Sequence, residues 1–243
     1  MEMNRQNSLK AHQTAILTAT VVSIVLWFVP FLRWVTVPLQ YLNTHIHEAC
    51  HALTAVATGG MVDHIQVHAN GNGETYTAGG SEFLISSAGY VGASIVGALI
   101  MVLAKNGRAA KGVLIGLAVV MGYSLIVWVR QDVFGIASAI AWIAALVAMA
   151  IYLKDETRHW VAQFVGVQQC VNSVQSLFFL VKISGFGVRQ SDAGNMQAAT
   201  HIPALVWSIL WCLVSFAAMG FALSISWRGE SKTPGSPESK WAP

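Results

Sequence analysis

The stretch Thr44-His45-Ile46-His47-Glu48-Ala49-Cys50-His51 places the pattern His-Glu-x-x-His inside an otherwise apolar segment. On a helix, residues 47 and 51 lie one turn apart on a single face, so both imidazoles can hold the same zinc ion. Glu48 serves differently, since its carboxylate can take a proton from water at the metal and return it to a leaving amine. The competing reading makes His47 and His51 interior histidines and pairs Glu48 with His51 or His45. That reading leaves a carboxylate in an apolar helix with no metal or cation to offset its desolvation, a cost on the order of several kcal/mol. Cys50 precedes the second histidine by one position, points away from the shared face and is not expected to be a ligand.

Working outward, the whole chain is poor in charge. Of its 243 residues 55% are hydrophobic and 10% charged, against roughly 25% charged in soluble domains, which places it among integral membrane proteins. Nine tryptophans fit a protein with two membrane interfaces. The net charge of +3 is spread over short connections, without a basic patch interleaved with aromatics, so nucleic-acid binding is not expected. Cys50, Cys170 and Cys212 form no close-spaced pair and do not read as a disulfide framework.

Seven apolar runs follow in order: 14–31, 38–58, 84–104, 113–129, 133–153, 161–181 and 203–227. The second starts at Pro38, carries the histidine motif near its middle and stops at Gly59-Gly60. Residues 61–82 differ in composition and read as a short β-hairpin around an Asn-Gly-rich turn, with His64 and His68 in a surface or substrate-groove role. Gly89, Gly92, Ala93 and Gly97 form a small-residue surface for close helix approach. The run 161–181 is less oily: Gln168, Asn172, Gln175 and Ser176 share a broad side that faces the bundle interior or a wet cavity. In the polar connection 185–199, Ser191 or Asp192 can cap a short helix through 198.

The predicted fold is therefore an all-α polytopic membrane bundle of about six or seven membrane helices, with a short β-hairpin after the motif-bearing helix. Its expected organisation is a polar N-terminal tail at 1–13, a retained membrane domain at 14–227 and a disordered tail at 228–243. With Arg33, the connections 105–111 and 154–158 and the C-terminal tail placed inside, the basic residues divide nine to five. This favours an external N-terminus and a cytoplasmic C-terminus. Four apolar runs separate the hairpin from the connection bearing Asp192, so both lie on one side whichever way the chain inserts. Asp192 is thereby eligible as a third ligand.

The combination of His47-Glu48-Ala49-Cys50-His51, Thr58-Gly59-Gly60, Ala88-Gly89-Tyr90 and Ser191-Asp192-Ala193 resembles the site-2 protease family, in particular its small bacterial branch. The resemblance covers most of residues 40–227. It implies a zinc-dependent protease of the bacterial cytoplasmic membrane in which His47, His51 and Asp192 hold the metal and Glu48 activates water. Better-known members carry the aspartate in an Asp-Gly context; this chain has Asp192-Ala193-Gly194.

The mechanism so expected is metal-assisted hydrolysis of a transmembrane or juxtamembrane segment of another membrane protein, within the lipid bilayer. Asn172 or a backbone donor would help hold the oxyanion. The hairpin would pair with an extended substrate through Ile65 and Val67. The alternatives are a catalytically silent zinc-binding regulator or chaperone and a small transporter.

Overall fold

The computed structural model of the chain describes residues 2–184 and 191–228. Helix α1 (Glu2–Phe28) leads through a 3-10 turn (Pro30–Leu32) into α2 (Arg33–Ala57), which bears the histidine motif. A two-stranded antiparallel hairpin follows, β1 (Met61–Val67) and β2 (Gly73–Ala78). Then come α3 (Glu82–Leu103), α4 (Gly107–Val127), α5 (Val133–Tyr152), α6 (Asp155–Ser184), the short α7 (Asp192–Thr200) and α8 (Ala204–Arg228). Among the described residues this is a helical membrane bundle with one small hairpin.

Four of the helices, α3, α4, α5 and α8, are long and apolar enough to cross a membrane, and α1 contains a shorter apolar stretch at Lys10–Leu26. Helices α2 and α6, of 25 and 30 residues, carry polar side chains in the interior. Gln163, Gln168, Gln169 and Ser173 of α6 and Asn43, Thr44 and His45 of α2 are all buried. Gln163 donates to the carbonyls of Met101 and Ala104 on and after α3.

Helix α3 is the centre of the assembly and packs against α2, α4, α6, α7 and α8. Its expected small-residue surface is what lets this happen. A Cβ at Gly92 would come 2.7 Å from the Cys50 sulfur on α2, and one at Gly97 would come 2.7 Å from the Gly166 carbonyl on α6. Around it, Leu42, Ile46, Ala93, Leu114, Leu146 and Val165 form the main core.

Several boundaries differ from the sequence reading, each for a local reason. The polar residues from Glu2 onward are helical, and His12 is buried with its Nδ1 2.8 Å from His159 Nε2. Helix α2 starts at Arg33 and contains Pro38, whose carbonyl accepts from the Trp142 indole. The motif accordingly lies in the C-terminal half of its helix. Helix α4 begins at Gly107 because Asn106 caps it through the Ala109 amide. Helix α6 absorbs most of the charged 154–159 connection, with Arg158 turned inward onto the carbonyls of Gly107 and Leu153. Ser191 caps α7 as expected, accepting from the Gly194 amide. Residues 185–190 of the polar connection and 229–243 of the expected tail lie outside the described residues.

The hairpin is stapled at both ends. At its base, Gly59, Gly79 and Gly80 adopt positive φ of +83°, +73° and +77°, and Gly60 lies so close to Gly79 that a Cβ would meet its carbonyl oxygen at 2.7 Å. At its tip, Tyr41 and Thr44 of α2 donate to the carbonyls of Ala69 and Gly71.

Candidate metal centre

Helix periodicity brings His47 and His51 onto one face of α2, and Asp192, the first residue of α7, meets them there. The two Nε2 atoms are 3.0 Å apart, and Asp192 Oδ2 is 3.2 Å from His47 Nε2 and 3.4 Å from His51 Nε2. Among the described residues this is the one trio of His, Cys, Asp or Glu whose ligand atoms converge in this way. For bonds of about 2.0–2.1 Å, tetrahedral geometry separates neighbouring donors by roughly 3.3 Å, so the triangle fits zinc. Two neutral imidazoles and one carboxylate are also a zinc donor set that leaves a fourth position for chemistry.

The rings are held rather than merely adjacent. His51 donates from Nδ1 to the Ile85 carbonyl at 2.6 Å, which leaves the Nε2 lone pair facing the cluster. Gly89 backs both imidazoles so closely that a Cβ there would collide with His47 and His51. Tyr90 packs edge-on against His47, with ring centroids 4.5 Å apart, and stacks in turn on Trp211. On α7, Asp192 is the first residue after the cap, where the helix dipole favours an anion. Ala193 and Met196 are buried and anchor that helix.

Glu48 is 4% exposed, and its Oε2 accepts a 2.7 Å hydrogen bond from the Thr75 hydroxyl. The hairpin therefore meets α2 beside the motif from one direction while Asp192 arrives from another.

Other sequence candidates have different places. Asn172 donates to the Leu39 carbonyl at 3.3 Å. Leu39 is eight residues before His47, about 12 Å along the helix axis, so this bond ties α6 to the N-terminal half of α2. Ile65 and Val67 are not free to pair with a substrate. The Ile65 amide donates to Trp128 O at 2.8 Å, its carbonyl accepts from Arg130 N at 3.2 Å, and the Val67 amide donates to Asp132 Oδ2 at 3.1 Å. That edge of β1 is closed by the α4–α5 connection, a long-range contact with no local signature. His64 bonds Asp63 and stacks on Tyr76, and His68 lies near Asp132 and Glu74, so neither joins the cluster. The Tyr76 phenol bonds Glu74 at 2.6 Å, and this contact raises its pKa above the ordinary value. Cys50 packs on Gly92, away from the cluster.

Sequence reasoning missed the contributions of Gly89, the Ile85 carbonyl, Thr75 and Asp132. Only Gly89 left a signal, as part of the small-residue surface on α3.

Residues 16–222 of the chain match the peptidase M50B-like family. Neither a curated protein nor a solved structure matches it.

Proposed function

The chain belongs to the M50B-like family of intramembrane zinc metalloproteases, and we propose the following division of labour within it. His47, His51 and Asp192 are the zinc ligands, Glu48 is the general base and acid, and the substrate is a transmembrane or juxtamembrane segment of another membrane protein. The observation that carries this reading is the convergence of two helix-borne imidazoles and a carboxylate 145 residues away within 3.4 Å of one another, with Glu48 adjoining.

Zinc, when bound, supplies a Lewis acid that polarises the scissile carbonyl and makes water acidic enough to react near neutral pH. The remaining work belongs to the chain. His51 keeps its Nε2 lone pair on the cluster through its bond to Ile85. Glu48 takes one proton from the attacking water and passes it to the departing amide nitrogen, so the residue ends as it began. Its burial keeps bulk water from competing for that proton.

A helical substrate must unwind first, because its amides are tied to carbonyls four residues away. With the β1 edge paired inside the chain, an extended segment has the outer edge of β2 to add to. We further place α1, α2 and α6 in the membrane with the four apolar helices. This gives seven segments over 14–227, an external N-terminus and a cytoplasmic C-terminus, in a bacterial cytoplasmic membrane.

The test is zinc per purified chain, together with cleavage of single-span membrane substrates, for the parent and for His47→Ala, Glu48→Gln and Asp192→Ala. Near-stoichiometric zinc in the parent and in Glu48→Gln, weakened metal in the other two and cleavage by the parent alone is the expected result. Cleavage by Glu48→Gln at the parent's rate would overturn the assignment of the base. A folded parent that takes up no zinc after resupply would overturn the ligand set.

A further inference from the structure

Strand β2 crosses α2 at the glutamate of the motif. The Thr75 hydroxyl lies 2.7 Å from Glu48 Oε2 and 3.2 Å from the main-chain carbonyl oxygen of the same residue. A single hydroxyl reaching both oxygens closes a small ring across the glutamate side chain, and only a few rotamers permit it. Gly73 lies two residues earlier on the same face of the strand. A Cβ there would come within 2.5 Å of Oε1 and 2.7 Å of Glu48 Cγ. The carboxylate is thus bracketed, with a donor on Oε2 and a bare glycine beside Oε1. Among the described residues Oε1 has no hydrogen-bond donor. The strand that does this is itself fixed, since Thr44, one turn before Glu48, donates to the Gly71 carbonyl at 2.8 Å.

We propose that Thr75 is a positioning residue for the general base, holding Oε2 so that Oε1 is the oxygen that receives the proton, with Gly73 providing the room. The inference rests on Glu48 as the base. The proton passes from water to Oε1 and on to the leaving nitrogen, while Thr75 keeps its own. The strand that offers its outer edge to substrate is then also the strand that orients the base, so seating the substrate and aiming the carboxylate are one structural event.

The experiment uses the full chain in proteoliposomes and compares Thr75→Val, Thr75→Ser, Gly73→Ala and Glu48→Gln. It reads steady-state cleavage, zinc per chain and the visible absorption of the cobalt-substituted protein. Thr75→Val should lower kcat by roughly ten- to hundredfold with KM little changed, and zinc content and the cobalt spectrum should match the parent. Thr75→Ser, which keeps the hydroxyl, should recover most of the loss, and Gly73→Ala should reproduce it. A parent-like kcat in Thr75→Val, or a Thr75→Ser as slow as Thr75→Val, would overturn the proposal; if Thr75→Val does not fold, Thr75→Ala against Thr75→Ser decides by the same criterion. Glu48→Gln separates the identity of the base from its positioning. If it still cleaves, the base itself is misassigned; if it is inactive while Thr75→Val is fully active, only the positioning role fails.

Discussion

Replacing Gly89 by alanine should empty the metal centre while leaving the bundle folded. The added methyl would point into the space occupied by the His47 and His51 rings. Carbon and nitrogen settle near about 3.5 Å, so one or both rings must retreat by roughly an ångström. A zinc site tolerates displacements of about 0.2 Å in its ligands, so a shift several times larger breaks the donor triangle of 3.0, 3.2 and 3.4 Å. His51 has little freedom to follow, because its Nδ1 is tied to the Ile85 carbonyl on the same helix that would carry the new methyl. Zinc affinity should fall at least about a hundredfold, equivalent to about 2.7 kcal/mol. The assay is zinc retained per chain across a series of chelator buffers, with monodispersity and thermal melting in detergent as the folding control. Gly116→Ala serves as the matched substitution, since nothing lies within 4 Å of a Cβ at that position in α4. Parent-like zinc affinity in Gly89→Ala would refute the claim that α3 sets the spacing of the two imidazoles.

Three further outcomes follow from the packing. Asp132→Ala removes both the cap on the Phe134 amide and the acceptor for Val67, and should lower stability by about 1–3 kcal/mol, read as a lower melting temperature. Gly97→Val would force a side chain against the Gly166 carbonyl and the Cys170 sulfur and should destabilise by about 1–3 kcal/mol or more, with α3 and α6 pushed apart. Asn172→Ala should leave zinc per chain unchanged and cost about 1 kcal/mol of stability, because its amide serves the Leu39 carbonyl; loss of zinc in this variant would return Asn172 to the site.

The membrane class, the helix bearing the motif, the hairpin after it and the cap of α7 were all legible in the sequence. Each depends on interactions that stay within a few residues. Apolar run length marks a span, spacing of four puts two histidines on one face, and Ser191 reaches an amide three residues on. Asp192 was made eligible by counting apolar runs, and the fold brings it onto the two histidines. Boundaries were less legible where polar residues continue a helix. Arg158 reads as a loop charge until its partners, the carbonyls of Gly107 and Leu153, are in place.

The sequence by itself therefore marked the two histidines and the aspartate that the bundle brings together. It had no means of choosing the contacts that aim them, because those are made between elements remote in the chain. The Ile65 edge is closed by residues 128–130, and the carboxylate of Glu48 is met by a hydroxyl 27 residues later. The spacing of His47 and His51 is backed by a glycine on α3 whose value lies in the atom it lacks. Local periodicity selects a helix face because the backbone repeats; packing between helices selects a partner only once the whole bundle has closed.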